Sequence, residues 1–205
     1  MQYNFDELTE RRNTGCVKWD SDNDPDMLPL WVADMDFQTA PSVKEAVMSR
    51  AATGIYGYVR VPDSYYEALT RWFDTRHGWH IDRDRVIYTS GVVPALSAII
   101  KALVKPGEGV IIQTPAYNCF FSSVRNNHAI EIDNPLKRIE TASGFTYEID
   151  FEDLEAVASR PETRLLLLCN PQNPTGRVWT RAELEQVRDI CRRNGVRVLI
   201  DEIHC

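Results

Sequence analysis

No apolar stretch in this chain approaches membrane-spanning length. The leucine run Leu165 to Leu168 is four residues, where a spanning helix needs roughly 20. Met1 to Arg12 is polar and carries no apolar h-region, so no secretory signal is expected. Positive charge is in deficit, with 23 Lys and Arg against 30 Asp and Glu and a formal net charge of −7. A sequence-independent nucleic-acid binder needs a basic stripe, and none is present. The five cysteines, at 16, 119, 169, 191 and 205, are odd in number and show no C-x-x-C spacing. That excludes an obvious disulfide framework or zinc site. Cys169 and Cys191, flanked by apolar residues, read as buried reduced thiols. His77, His80 and His128 read as surface or packing histidines rather than ligands. Also missing are G-x-G-x-x-G after a first strand, the phosphate loop G-x-x-x-x-G-K-[ST], H-E-x-x-H and G-x-S-x-G. Dinucleotide, phosphoryl-transfer, metalloprotease and serine-hydrolase readings therefore lose their main support. What remains is a cytoplasmic enzyme or binding protein that takes a small-molecule partner, with no metal, nucleic acid or membrane.

A chain of 205 residues can bury one substantial core, or one domain plus part of a second. Two textures divide it. Residues 1–40 are rich in Asp, Asn, Pro and Trp with little periodicity, and read as an arm and part of a small domain with a short helix near Phe5 to Arg11. Residues 41–205 read as a larger domain of regular elements. Pro41 opens a helix to about Ala52, and Asp63 opens another that ends near His77-Gly78. An alternation follows: strand Arg85–Thr89, helix Val92–Val104, strand Val110–Gln113, helix Asn118–Asn126, strand Ala129–Ile132. Then come an excursion or hairpin from Leu136 to Tyr147 and a helix started by Asp150 or Asp153. Strand Arg164–Cys169, a helix capped by Thr180 and running to Asn194-Gly195, and strand Val196–Ile200 complete the series. The expected fold class is α/β, a mainly parallel sheet with helices on both faces.

In open α/β sheets, ligands sit outside the carboxyl ends of the strands. Those ends read Ser90-Gly91-Val92-Val93, Thr114-Pro115-Ala116-Tyr117, Asn170-Pro171-Gln172-Asn173-Pro174-Thr175-Gly176, and Asp201-Glu202-Ile203-His204. Gly91 lets the backbone turn into a helix whose first N–H groups suit a phosphate. Tyr117 can stack on a flat ring, Asn173 can donate to a phenolate-like oxygen, and Asp201 can keep a ring nitrogen protonated. Phosphate, flat ring, ring oxygen and ring nitrogen together describe pyridoxal 5'-phosphate. Taken singly, each residue also has an ordinary reading: Tyr56 and Tyr58 as loop packing, Tyr117 as a core tyrosine, Asn170 and Asn173 as turn formers, Asp201 as a polar strand end.

The N-P-Q-N-P-T-G-R, D-E-I-H and T-P-A-Y segments resemble fold-type I pyridoxal-phosphate enzymes of the aminotransferase class I/II superfamily. Within it, Pro29 to Phe37 (P-L-W-V-A-D-M-D-F), Tyr56-Gly57-Tyr58 and Ser90-Gly91-Val92-Val93-Pro94 resemble the bacterial cystathionine β-lyases, or cysteine-S-conjugate β-lyases. The resemblance implies an aspartate-aminotransferase-like large domain. It implies that Val92 and Val93 offer N–H groups to the phosphate, Tyr117 stacks on the pyridine ring, Asn173 binds its 3-oxygen and Asp201 pairs with its nitrogen. It further implies that Tyr58 reaches the phosphate of a neighbouring subunit in a homodimer, and that Ala33 lies near the substrate carboxylate. His204 stands where related aminotransferases carry a tyrosine near the 3-oxygen. The implied reaction is β-elimination from cystathionine or another sulfur amino acid, giving a thiol, pyruvate and ammonia. Amino transfer and a non-catalytic ligand-binding module are the alternatives.

Both the covalent attachment and the proton transfer of such enzymes use a lysine. The candidates here are Lys18, Lys44, Lys101, Lys105 and Lys137, and none follows a late strand. The family's lysine, in an S-x-S-K-like segment, is expected beyond Cys205, with a substrate-binding arginine later still. The expectation is therefore the N-terminal half of a longer enzyme, inactive by itself.

Overall fold

The computed structural model describes residues 3–22, 24 and 26–205. The chain forms two compact units, residues 1–62 and 63–205.

The first unit is organised by charge. Asp20 accepts hydrogen bonds from the backbone N–H groups of Asn13, Thr14, Gly15 and Cys16 at 2.7 to 3.0 Å, closing a turn that leads into helix α1, Val17–Asp20. Lys18 is 8% exposed, and its Nζ meets Asp36 Oδ2 at 2.7 Å and the Asp34 carbonyl at 2.9 Å. Arg11 spans Asp34 Oδ2 at 2.5 Å and Asp36 Oδ1 at 2.7 Å, and also donates to Cys16 Sγ. The helix expected near Phe5 to Arg11 is absent; the segment has no helical turn. A helix of that length is marginal alone, and ion pairs made 23 to 25 residues away commit Arg11 to a different course. Helix α2, Pro41–Ala51, forms as the sequence predicts, with Pro41 in its first turn.

The second unit begins with helix α3, Asp63–His77. A strand expected over Arg85–Thr89 does not form. Arg83–Arg85 is a single 3-10 turn capped by Asp82, and the apolar residues after it have no ladder partner among the described residues, with Ile87 85% exposed. Local pattern makes a segment extended; a neighbour is required to make it a strand.

From there the sequence pattern and the elements agree. Helix α4 is Val92–Leu103, strand β1 Gly109–Ile112, helix α5 Asn118–Asn126 and strand β2 Ile130–Asp133. The Leu136 to Tyr147 excursion is an antiparallel hairpin of β3, Lys137–Thr141, and β4, Gly144–Glu148. Helix α6, Phe151–Ala158, starts at Asp150, whose side chain accepts from Asp153 N. Strand β5 is Thr163–Cys169, helix α7 Arg181–Arg193 and strand β6 Arg197–Asp201. Helix α7 opens on a reciprocal cap in which the Thr180 and Glu183 side chains each bond the other's backbone N–H.

The four strands β2-β1-β5-β6 make one all-parallel sheet. Its two faces carry separate cores: Ile111, Leu166 and Leu168 pack with Leu154, Val157, Val187 and Ile190 from α6 and α7. On the other face Val110, Leu165 and Leu167 pack with Leu96, Ile100, Phe120 and Val124 from α4 and α5. This is why all four leucines of β5 are buried. At the start of β1, a Cβ on Gly109 would stand 2.2 Å from Ile132 Cδ1 and 3.1 Å from its Cγ1, so any larger residue here has to displace the Ile132 side chain. Among the described residues no helix is long and apolar enough to cross a membrane.

Candidate active site

Because every strand of the sheet runs the same way, the segments after β1, β5 and β6 emerge at one edge. That edge gathers the T-P-A-Y, N-P-Q-N-P-T-G and D-E-I-H segments.

Asp201 ends β6, pairs in register with Cys169 of β5 and is 6% exposed. Its Oδ1 accepts the Ile203 N–H at 3.0 Å. It lines a cleft of about 420 Å³ together with Thr89, Gly91 and Val92 at the start of α4, in a lining that is otherwise mostly apolar and includes Ile99, Leu199 and Ile200. Gly91 has φ +152° and no side chain caps this helix, so the positive end of its dipole is bare. Pro94 at the third position has no N–H, which leaves Val92 and Val93 as the backbone donors of the first turn. Val92 is half-buried and Val93 exposed. A bare helix N-terminus and a buried carboxylate in the lining of one cleft suit a ligand that carries both an anionic group and a protonated nitrogen.

Tyr117 caps α5 by position and is 41% exposed, its ring edge-on to Phe120. Its hydroxyl is held above its usual pKa, chiefly by a hydrogen bond with Cys119 and in smaller part by the Asp201 charge. It is the neutral phenol near neutral pH. Asn173 is half-buried in the turn after β5, and burial raises the pKa of the nearby Cys169 thiol, with the Asn173 backbone N–H acting in the other direction. Cys169 Sγ also donates to the Pro171 carbonyl at 3.1 Å. Asn170 holds the far side of the same loop, its Oδ1 accepting from Trp179 N at 3.0 Å.

Gly91, Val92 and Asp201 thus share one cleft, while Tyr117 and Asn173 stand on the same sheet edge. His204 is exposed in the turn after β6. Ala33 and Tyr58 belong to the first unit, where both are exposed. Two participants escaped the sequence reading: Cys119, the Tyr117 partner, and Gln172, buried inside the loop motif. The signal for Gln172 was its place between two prolines that cannot donate.

Residues 25–205 match the family model described as aminotransferase class I and II. The chain belongs to that family. It is 40% identical over 205 residues to the cystathionine beta-lyase PatB of Bacillus subtilis strain 168, covering 98% of this chain and 52% of that protein. Protein MalY of Escherichia coli K12 is 41% identical over 207 residues, again 98% and 52%. Cystalysin from Treponema denticola, a structure containing a pyridoxal 5'-phosphate cofactor, superposes with a TM-score of 0.87 at 34% identity, over 99% of this chain and 52% of that one. The α/β fold with its mainly parallel sheet matches that of cystalysin over about half its length, and the chain spans about half the length of the curated relatives it matches.

Proposed function

We propose that this chain belongs to a pyridoxal-phosphate-dependent carbon-sulfur β-lyase that cleaves cystathionine or related cysteine S-conjugates to a thiol, pyruvate and ammonia. The observation that carries the reading is the cleft shared by the bare start of α4 and buried Asp201. It is supported by the lyase names of the relatives and by the cofactor in cystalysin. The proposal concerns a protein of those relatives' length, since no lysine lines this cleft.

Bound pyridoxal phosphate would supply an electron sink for the pair released when an α-proton leaves. The residues of this chain would hold it in place. Val92 and Val93 donate N–H groups to the phosphate, and Tyr117 lies against the ring face. Asn173 donates to the ring oxygen, with His204 beside it, and Asp201 keeps the ring nitrogen protonated. Ala33 borders the substrate carboxylate, and Tyr58, fully exposed, contacts the phosphate of a partner subunit in a homodimer. In this reading residues 1–40 are the arm and part of a small domain, and 41–205 the first part of the cofactor-binding domain.

Full-length protein with added cofactor is expected to show a visible absorption band that borohydride removes, leaving a pyridoxyl-lysine by mass. It is expected to release pyruvate from cystathionine with no 2-oxo acid added as amino acceptor. Pyruvate release absent, with amino exchange to a 2-oxo acid present, would replace the lyase by the aminotransferase reading, which the family's own description favours. Absence of band, lysine adduct and turnover would leave a non-catalytic module.

A further inference from the structure

Gln172 is 3% exposed and sits between two prolines in the loop after β5. Its Nε2 donates to the Pro115 carbonyl at 2.7 Å, across 57 residues of sequence. Its Oε1 accepts from Thr175 N at 2.8 Å and Thr175 Oγ1 at 2.5 Å. Its backbone is equally committed, N–H to the Arg177 carbonyl at 2.7 Å and C=O from Gly176 N at 2.8 Å. The amide orientation is fixed by its partners, because the Pro115 carbonyl can only accept and the Thr175 N–H can only donate.

We propose that Gln172 is a positioning residue that registers the loop carrying Tyr117 against the loop carrying Asn173. The ladder between β1 and β5 runs to Ile112 opposite Leu167. Beyond it the chains enter Pro115, Pro171 and Pro174, which have no N–H to continue a ladder. The Pro115 carbonyl therefore needs a donor that the facing backbone lacks, and the Gln172 side chain provides it. Pro115 is two residues from Tyr117 and Gln172 is next to Asn173, so one amide sets the spacing of both. Among the near-isosteres of glutamine none both donates and accepts over the same reach at neutral pH. Glutamate loses the donor, methionine loses both functions, and asparagine falls one methylene short.

The inference rests on the cofactor reading above, and the test separates the two. Full-length Gln172→Glu is compared with wild type for pyridoxal phosphate affinity, and, without cofactor, for amide exchange in segments 114–120 and 170–178. Affinity is expected to fall about tenfold, the scale of one buried hydrogen bond lost, with faster exchange in both segments. In a Tyr117→Ala background the same substitution is expected to cost less than about twofold, because residues acting through one another are not additive. Gln172→Met replaces it should the glutamate variant not fold. Loosening of 170–178 alone, lowered stability with affinity unchanged, or additive costs would overturn the bridge. A wild-type protein that binds no pyridoxal phosphate would instead sink the cofactor reading, while the two-segment exchange result still decides the bridge.

Discussion

Asn170 donates its backbone N–H to the Asp201 carbonyl at 3.0 Å, one residue past the registered pair Cys169 and Asp201. The loop that carries Asn173 thus leaves the sheet at the height where Asp201 presents its carboxylate. Two motifs 31 positions apart, counted from 170 to 201, are joined by this contact, which extends the β5–β6 ladder by one bond.

Asp201→Asn keeps an oxygen for the Ile203 N–H but removes the charge. Under the proposed lyase function, elimination by the full-length protein is expected to fall roughly 10²-fold or more, the scale of losing one electrostatic partner of a reacting group. Circular dichroism and melting are expected to stay near wild type. Near-normal turnover would remove Asp201 from the ring nitrogen.

Asp36 is held well below its ordinary carboxylate pKa, first by the Lys18 ammonium, then by the Trp19 indole N–H, with Arg11 contributing. A depressed folded-state value means its contribution is complete above the unfolded pKa and is lost as the pH falls toward the folded one. The first unit is therefore expected to loosen below about pH 4. The indole N–H resonance of Trp19 should report it, and Asp36→Asn should flatten the titration while lowering stability at neutral pH.

Gly109→Ala would drive a methyl into Ile132 Cδ1. An expected loss of about 1–3 kcal/mol, the usual overpacking range, is measurable by denaturant unfolding. Ile132→Val in the same chain removes the offending carbon and should recover part of it. Additive losses would place the strain elsewhere.

Thr180→Ala removes one half of the reciprocal cap on α7. About 1 kcal/mol of stability is expected to go with it, with serine at the same position restoring most of it. An unchanged midpoint would mean that Arg177, paired with Glu183 at 2.5 Å, holds the helix start unaided.

Much of this was legible from residue order. Thr180 and Asn194-Gly195 bracket α7, and the leucines of β5 announce a strand covered on both sides. Asp201 does end a strand, β6, as its sequence context suggests, whereas Gly91 follows an extended segment with no ladder partner among the described residues and starts α4 all the same. What escaped depended on distant partners. Arg11 is drawn off a helical course by Asp34 and Asp36, and Arg85–Thr89 has the pattern of a strand without a neighbour. Gln172 looked like one polar turn residue among several until the Pro115 carbonyl stood 2.7 Å away.

The leucine run of β5 has one more consequence. Four identical side chains in a row look the same after a one-residue slide, although such a slide sends every one of them to the opposite face. Leu165 to Leu168 therefore cannot tell the strand where to stop. That information sits at its two ends, where Thr163 Oγ1 ties to the Val157 carbonyl at 2.7 Å and the Trp179 indole ties to the Cys169 carbonyl at 3.0 Å. The interior of the strand supplies adhesion, and these two polar anchors act as its ruler, fixing which residue faces Asp201.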